Sequence, residues 1–393
     1  MNSWIKGGKI DMNTVKPVTL GVIGTGMISR QYLDTVSHKF SILRLKAIAD
    51  RKREKAEKMA AEYGVVGCTI DELMNDPEIE MILNLTPPPV HYSIMKEALL
   101  RGKHAYTEKS FTLTTKEAED LMRIANEKKL YVGSAPDTFF SSWVQNARHL
   151  IDQGAIGKIT SFAMIGNRDN NRLLSAMRYL NQPGGGIILD YSVYYLTVLV
   201  NLLGPVAEVS ARIKAPYKTH VNIFKPSPDY GKVFETPNES EVFSILELEN
   251  GITGTLCINA DSAFFDQTYF AIYGDKGILY LGCPDWFNGS VFAYWNNEDY
   301  KNAANPVREL QPDPYAFKTD TRGVGVADAA WAIRTGRNPR VNAATCFHVL
   351  DVQEKMVESA ENNGQFIRVI STCQRSQPLP IPEAGREESS LYL

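Results

Sequence analysis

The sequence has few cysteines, few histidines and little net charge. Its 393 residues include five cysteines and six histidines, and 42 basic against 45 acidic residues give a net charge of −3. A chain of this length exceeds one ordinary hydrophobic core, and five scattered cysteines offer no disulfide framework. The balanced charge gives no electrostatic surface for nucleic acid or an anionic membrane, so neither partner is expected.

Long apolar runs are missing too. No stretch approaches the roughly 18 residues that a membrane-spanning helix needs, and the first residues lack the apolar segment of a secretory signal. The cysteines form no C-x-x-C pair, and only Cys346 and His348 lie close together, at a spacing that points them to different faces of a helix. We therefore expect no metal site, and free thiols in a reducing cytoplasm.

Strands and helices alternate over the first third of the chain. Helical patterns separate predicted strands at residues 19–23, 45–49, 81–85, 104–107 and 131–134. Such alternation indicates a parallel, doubly wound sheet. We place this domain at residues 17–137, after an N-terminal extension at 1–16.

The pattern changes beyond residue 137. Tight turns such as Glu249-Asn250-Gly251 separate short apolar runs, which indicates antiparallel neighbours. A single apolar helix is predicted at residues 190–203. We expect an α+β domain with an open, mostly antiparallel sheet at 138–375. A Pro-rich tail at 376–393 should lie on the surface or against a partner.

The loop after the first predicted strand has the pattern of a pyrophosphate-binding turn, with the residues Gly24, Thr25, Gly26, Met27, Ile28 and Ser29. The first glycine permits a tight turn, the second lets backbone N–H groups approach a phosphate, and the third position must be small. Ser29 stands there in place of glycine or alanine. A plain strand–turn–helix is the alternative, but the acidic Asp50 at the end of the second predicted strand favours a dinucleotide-binding (Rossmann) domain.

Asp50 ends the second predicted strand, where a carboxylate can accept hydrogen bonds from both ribose hydroxyls of an adenosine. That carboxylate would also repel a 2′-phosphate, so NAD is the expected cofactor. The neighbouring Arg51, Lys52 and Arg53 leave NADP possible, because a guanidinium can stack on adenine and meet the phosphate.

Two further loops follow predicted strands at the edge where ligands of open α/β sheets bind. Thr86, Pro87 and His91 come after the strand at 81–85, although His91 could equally be a helix-start histidine bonded to backbone. Glu108 and Lys109 follow the strand at 104–107. Such a pair is most often a solvated salt bridge, but a lysine desolvated beside a cationic ring could exchange protons near neutral pH.

A third cluster follows the triple glycine at 184–186. Asp190 and Tyr194 are four residues apart, so on a helix they share one face. A carboxylate in such an apolar stretch needs a partner. The alternative is an N-capping aspartate beside a core tyrosine.

Four segments in order match a known family: GVIGTGMISR, TPPPVH, EKS and GGGIILDYSVYYL. From about residue 17 to 375 the chain resembles the Gfo/Idh/MocA family of glucose–fructose oxidoreductases, inositol dehydrogenases and rhizopine-catabolism proteins. The family has a Rossmann domain followed by an α/β domain whose open sheet forms the substrate floor and often the oligomer interface. The resemblance therefore implies a homodimer or homotetramer.

The same resemblance implies that Lys109 is the catalytic lysine and that Asp190 and Tyr194 occupy the Asp-x-x-x-His positions. Two residues depart from the pattern. Ser110 replaces a proline and removes no functional group, and Tyr194 replaces histidine, as in the tyrosine variant of the family. A phenol with a pKa of about 10 donates readily and accepts poorly at pH 7, which makes Lys109 the proton acceptor.

The resemblance thus implies an NAD-dependent dehydrogenase that acts on a secondary alcohol of a sugar, polyol or glycoside. Two alternatives remain open: a glycosidase that oxidises C3 transiently and recycles NAD, and a non-enzymatic regulator that senses sugar. The aromatics of the second domain could pack against sugar C–H faces, although most are expected in the core: Tyr179, Tyr195, Phe264, Phe265 and Trp286. Three arginines, Arg168, Arg172 and Arg178, could reach substrate hydroxyls, but the sequence favours a solvated loop for them.

Overall fold

The computed structural model describes residues 14–263, 268–295, 307–383 and 385–392. Phe264, Phe265 and most of the predicted N-terminal extension lie outside these residues. The strands are β1 (Val18–Ile23), β2 (Leu43–Ala49), β3 (Val66–Cys68), β4 (Met81–Asn84), β5 (His104–Thr107), β6 (Val132–Ser134), β7 (Ile159–Asn167), β8 (Val206–Lys214), β9 (Thr219–Val221), β10 (Val233–Glu235), β11 (Glu241–Leu248), β12 (Thr253–Asn259), β13 (Tyr269–Gly274), β14 (Gly277–Leu281), β15 (Phe292–Trp295), β16 (Val307–Leu310) and β17 (Ile367–Arg368).

The helices connect these strands, and none of those in the described ranges is long and apolar enough to cross a membrane. They are α1 (Ser29–His38), α2 (Arg53–Tyr63), α3 (Ile70–Asn75), α4 (His91–Leu100), α5 (Thr115–Lys128), α6 (Ser142–Asp152), α7 (Asn170–Ala176), α8 (Ile187–Asp190), α9 (Ser192–Leu203), α10 (Val324–Thr335), α11 (Ala343–Glu361) and α12 (Ser389–Tyr392).

Six strands form a parallel sheet in the order β3-β2-β1-β4-β5-β6. This is the doubly wound order of a Rossmann fold, and it confirms the predicted fold class. Every residue of β1 is buried, because helices cover both faces of a parallel sheet. The sheet brings the carboxyl ends of β1, β2, β4 and β5 to one edge, and so positions the predicted cofactor loops together.

A mixed sheet of nine strands has the order β16-β15-β14-β13-β7-β12-β11-β8-β17. Its neighbours are antiparallel except for β7 and β12, which run parallel. The predicted open, mostly antiparallel sheet is therefore confirmed. A separate two-stranded ribbon pairs β9 with β10. The larger of two apolar clusters among the described residues runs from β1 through α9 to α10 and so contacts both sheets.

The predicted helix at 190–203 is observed as α9, which begins two residues later and is preceded by the separate short helix α8. Helix α8 ends at Asp190, and α9 begins at Ser192, because Tyr191 leaves the helical geometry with φ −121° and ψ −41°. All twelve residues of α9 are buried, which explains its apolar sequence. Neither Gly nor Pro marks the break between α8 and α9, so no local residue indicates it.

The final residues return to the body of the same chain. Leu379 and Leu391 are buried, and the Glu388 carboxylate accepts hydrogen bonds from the Ser41 and Ile42 amides, at 3.1 and 3.2 Å. The indole of Trp331 donates to the same carboxylate. The tail therefore links α10 to the loop between α1 and β2.

Candidate active site

The loop between β1 and α1 has the geometry that a pyrophosphate requires. Gly24 has φ +106°, and a Cβ there would lie 2.7 Å from the Leu85 carbonyl oxygen, so only glycine fits. A Cβ on Gly26 would meet nothing within 4 Å, which leaves this face of the loop open. No side chain caps the N-terminus of α1, so its first N–H groups are available to an anion.

Ser29 serves at the small position of the loop. Its hydroxyl donates to the Gly26 carbonyl at 2.6 Å and lies 3.4 Å from the Met59 sulfur of α2. The residue is fully buried, so a larger side chain would separate α1 from the sheet. Met27 is 72% exposed at the tip of the loop, and Ile28 is half-buried against the core. These residues fit a dinucleotide.

Asp50 lies at the end of β2 and faces the same loop. One carboxylate oxygen accepts from the Thr25 amide and hydroxyl at 3.0 and 2.7 Å, and the other accepts from the Lys52 amide at 2.9 Å. Burial acts against the charge, but these hydrogen bonds outweigh it and lower the pKa of Asp50. The carboxylate is thus ionised, with a free acceptor site on the oxygen bound to Lys52.

The basic residues after Asp50 differ in their partners. Arg53 pairs with Glu57 at 2.9 Å and with Glu72 at 3.4 Å, on the surface of the Rossmann domain. Arg51 is exposed. Arg53 is therefore engaged by two carboxylates, which favours NAD over NADP, and Arg51 is the residue best exposed to meet a 2′-phosphate.

His91 lies under the two loops that follow β4 and β5. Its Nδ1 is 2.7 Å from the Ser110 carbonyl oxygen and its Nε2 is 2.7 Å from that of Thr86. The ring is fully buried, which lowers the pKa of the imidazole. Its prediction as a cofactor contact is therefore corrected to the backbone-bonded alternative. Pro87 is exposed beside Thr86, and these two residues form the loop surface.

Glu108 is buried and points away from solvent. One of its oxygens accepts from the Tyr32 hydroxyl of α1 at 2.6 Å, and the other accepts from the Lys109 amide at 3.1 Å. Glu108 therefore connects helix α1, which follows the pyrophosphate loop, to the backbone of the lysine loop, the segment after β5 that carries Lys109. It is not the salt-bridge partner of Lys109.

The salt-bridge partner of Lys109 is Asp190, the last residue of α8. The Lys109 ammonium contacts the Asp190 carboxylate directly and donates to the Asp190 carbonyl at 3.2 Å. Both side chains are nearly buried, with 12% and 4% exposure. The ammonium lies 5.5 Å from the centroid of the Tyr194 ring. The three predicted catalytic residues therefore converge, and the Asp190 carboxylate is not a helix cap.

Two opposing effects set the protonation of Lys109. Burial disfavours the ammonium, but the charge of Asp190 outweighs burial and holds the pKa of Lys109 well above its ordinary range. Burial thus acts in the direction that the sequence predicted, and the opposing charge of Asp190 is the larger effect. Proton exchange of Lys109 beside a bound cationic ring stays a prediction. Burial also raises the pKa of Tyr194 well above its ordinary value, so this phenol is a hydrogen-bond donor.

Arg168 was expected on a solvated loop, and the structure corrects this. It directly follows β7, and its guanidinium donates to the second oxygen of Asp190 at 2.6 Å. The guanidinium also stacks 3.7 Å above the ring of Tyr191. Asp285 and Arg322 continue the charged cluster, with contacts at 3.6 and 3.3 Å. The sequence reasoning missed Asp285 and Arg322, because they lie in loops without a motif.

The other arginines and aromatics divide between surface and core. Arg172 and Arg178 are exposed, and Arg178 stacks over the ring of Phe234 at 4.8 Å. Tyr195 is fully buried and belongs to the core, whereas Trp286 is 41% exposed. Burial raises the pKa of Tyr179, which interacts electrostatically with Lys109 and Asp190. Its hydroxyl lies 3.9 Å from the Met177 sulfur.

No group of three or more potential metal ligands occurs among the described residues. The His348 Nε2 accepts from the Val206 amide at 2.9 Å, and the Cys346 thiol lies 3.7 Å from the Ser134 carbonyl. Each side chain thus has its own backbone partner.

Comparison with known proteins finds relatives in sequence and in fold. An uncharacterized oxidoreductase of Synechocystis is 26% identical over 76% of this chain and 82% of its own length. The D-xylose dehydrogenase of Paenarthrobacter nicotinovorans is 28% identical over half of each chain. The structure of a levoglucosan dehydrogenase with NADH and L-sorbose superposes with a TM-score of 0.79 at 18% identity, over 90% of this chain and 99% of that one.

Two family profiles match more than half of the chain. The oxidoreductase family with an NAD-binding Rossmann fold matches residues 18–135, and the GFO/IDH/MocA C-terminal domain matches residues 144–280. The chain therefore belongs to the GFO/IDH/MocA family of oxidoreductases, with an NAD-binding Rossmann domain.

Proposed function

We propose that this protein is an NAD-dependent dehydrogenase that acts on a secondary alcohol of a sugar, polyol or glycoside. The observation that carries the proposal is the buried Lys109–Asp190 pair beside Tyr194, at the edge of the sheet that holds the cofactor loops. The relatives named for D-xylose and levoglucosan support a carbohydrate substrate. NAD, when bound, supplies the hydride acceptor for the alcohol carbon.

Lys109 is the proton-transfer residue in this proposal. As an ammonium it donates a proton to a carbonyl oxygen in the direction of reduction, and in oxidation it must lose its proton first. Tyr194 stays protonated and donates a hydrogen bond to the same substrate oxygen. Asp190 holds the lysine in place, and its direct contact with the ammonium supports this role.

The experiment that tests this function is Lys109→Met, assayed with a panel of sugars, polyols and glycosides by the absorbance of reduced nicotinamide. We expect a loss of about 10²- to 10⁴-fold in kcat, as for other general acid–base residues, with NAD affinity unchanged by calorimetry. The wild-type rate of oxidation should rise from pH 7 to alkaline pH, because the pKa of Lys109 is raised. Lys116→Met, an exposed lysine of α5, is the control.

Other outcomes would select the alternatives. Release of an aglycone with only catalytic NAD, and no accumulation of NADH, would identify the transient-oxidation glycosidase. Tight NAD binding without turnover on any substrate, and no effect of Lys109→Met, would identify the sugar-sensing regulator and contradict the proposal.

We also propose that the protein forms a homodimer or homotetramer through the open face of the mixed sheet. Phe243, Cys257 and Ile165 are directly opposite one another on the neighbouring strands β11, β12 and β7, so they share one face. Phe243 is 43% exposed and Ile165 is 46% exposed.

We propose a cytoplasmic location as well. The five cysteines are all unpaired, which supports this location.

A further inference from the structure

Two cations share one buried carboxylate in the active site. Asp190 Oδ1 contacts the Lys109 ammonium, and Asp190 Oδ2 accepts from the Arg168 guanidinium at 2.6 Å. The side chain of Asp190 is 4% exposed, and that of Arg168 is 13% exposed. A guanidinium keeps its charge at any working pH, whereas an ammonium can lose its proton. The carboxylate therefore always has one permanent partner and one that can be neutral.

Arg168 is itself held in position from two sides. Its planar group stacks on the Tyr191 ring at 3.7 Å, at the residue where α8 and α9 separate. On its other side, Nη2 lies 3.6 Å from Asp285. Asp285 in turn accepts from Arg322 through its backbone carbonyl at 2.9 Å and through its carboxylate at 3.3 Å. These contacts fix the guanidinium against the carboxylate of Asp190.

We propose that Arg168 is a positioning residue that shares the Asp190 carboxylate with Lys109. The second cation lets the lysine lose its proton more easily than a lysine whose one partner is a buried aspartate. The inference rests on the proposed function of Lys109. A second positive charge beside the carboxylate lowers the electrostatic cost of a neutral lysine, because the ion pair of Asp190 then persists without the ammonium. It also keeps the carboxylate ionised when Lys109 is neutral.

The other titratable groups around Lys109 do not replace Arg168 in this role. Glu108 and Asp190 are acidic and favour the ammonium. Tyr179 and Tyr194 have raised pKa values and stay neutral. His91 lies below the lysine loop, where burial lowers its pKa. Arg168 is the cation that contacts the same carboxylate as Lys109 among the described residues.

The test measures the lysine directly and needs no substrate. The whole protein is labelled with acetic anhydride at pH 9, and mass spectrometry compares acetylation of Lys109 with that of the exposed Lys116. In Arg168→Met we expect the relative reactivity of Lys109 to fall at least about tenfold, the effect of one pKa unit. Arg168→Lys, which keeps the charge, should stay within about twofold of wild type.

Two further variants serve as controls: one should raise the reactivity of Lys109 and the other should leave it unchanged. Asp190→Asn should raise the reactivity of Lys109 at least about tenfold, because the carboxylate that favours the ammonium is gone. Arg123→Met removes an exposed arginine of α5 that pairs with Asp120 and Glu127, and should change nothing. Circular dichroism and NAD binding identify any unfolded variant, and Arg168→Gln then takes the place of Arg168→Met.

Unchanged or increased reactivity of Lys109 in a folded Arg168→Met or Arg168→Gln protein would overturn the inference, since a purely structural arginine would loosen the site without favouring the ammonium. A fall of equal size in Arg168→Lys would overturn it too. The proposed function is judged separately by turnover of Lys109→Met, so each idea can fail without the other.

Discussion

Lys109 and Asp190 are 81 residues apart in the chain, yet they form one buried ion pair. Each comes from a segment whose motif was visible in the sequence. The glycines of the pyrophosphate loop and Asp50 were also predictable, because backbone geometry and charge restrict these positions to few residue types. Arg168 was not predictable, since nothing in its neighbourhood distinguishes a buried arginine from Arg172 on the surface.

A prediction at this scale concerns the choice of cofactor. Asp50→Ser removes the ionised carboxylate beside the pyrophosphate loop and leaves a hydroxyl. We expect NAD to bind about tenfold more weakly, since a hydrogen bond to a charged group contributes about 1.5–3 kcal/mol. NADP should bind more tightly than to wild type, because its phosphate no longer meets a negative charge.

Calorimetric titration of both cofactors measures the two changes. Asp71→Ser, at an exposed acid of α3 that pairs with Arg101, is the control and should leave both affinities unchanged. Equal loss of NAD and NADP affinity in Asp50→Ser would contradict the assignment of Asp50 to the ribose.

At the scale of elements, hydrophobic periodicity located most strands and helices. The predicted strand at 104–107 has the observed bounds of β5, and the hairpin of β11 and β12 has its predicted turn. The break at Tyr191 was invisible, because the Arg168 guanidinium that stacks on the Tyr191 ring comes from outside the local sequence. The short α3 and α7 were missed as well, since neither is long enough to show a clear period.

Asp137 provides a prediction about one helix terminus. Its carboxylate accepts from the Gly323 and Gly325 amides at 2.8 and 3.0 Å, at the start of α10. Burial nevertheless raises the pKa of Asp137 from 3.8 to about 6. The folded protein therefore keeps this proton up to about pH 6, whereas the unfolded chain releases it near pH 3.8. The contribution of Asp137 to stability falls as pH rises through this window.

Asp137→Asn should abolish that contribution, since its amide oxygen can still accept from both glycines and carries no charge. Between pH 4 and pH 6.5 the unfolding free energy of wild type should decrease by about 2 kcal/mol relative to the variant. Urea denaturation at both pH values measures the difference. The same pH dependence in both proteins would show that Asp137 does not titrate in this window.

At the scale of the whole molecule, the order and type of the two sheets, the first parallel and the second mostly antiparallel, were predictable from the sequence. The alternating and the antiparallel patterns occupy separate parts of the sequence, and each sheet formed where its pattern lies. The parallel pairing of β7 with β12 was not predictable, because these strands are joined by a long connection rather than a turn. Nor was the return of the tail, in which Glu388 contacts Ser41 across 347 residues.

The open face of the mixed sheet carries the prediction about assembly. Phe243→Glu places a charge at the centre of this face, and burying an unpaired charge in a contact between copies is costly. We expect the variant to elute as a monomer in size-exclusion chromatography with light scattering, while wild type elutes as a dimer or tetramer. Leu100→Glu, which changes an exposed residue of α4, is the matched control. A Phe243→Glu protein with the wild-type mass would contradict the proposed interface.

The bridge that His91 makes between Thr86 and Ser110 has a practical consequence for protein engineering. The imidazole lies 2.7 Å from a carbonyl oxygen of each loop, and with its lowered pKa it carries one N–H, which donates to one of the two. A chimaera that imports one loop from a relative would change the packing on one side of the ring and so displace it from the other loop. Loop grafts intended to alter this enzyme should therefore exchange both segments together with the histidine, as one cassette.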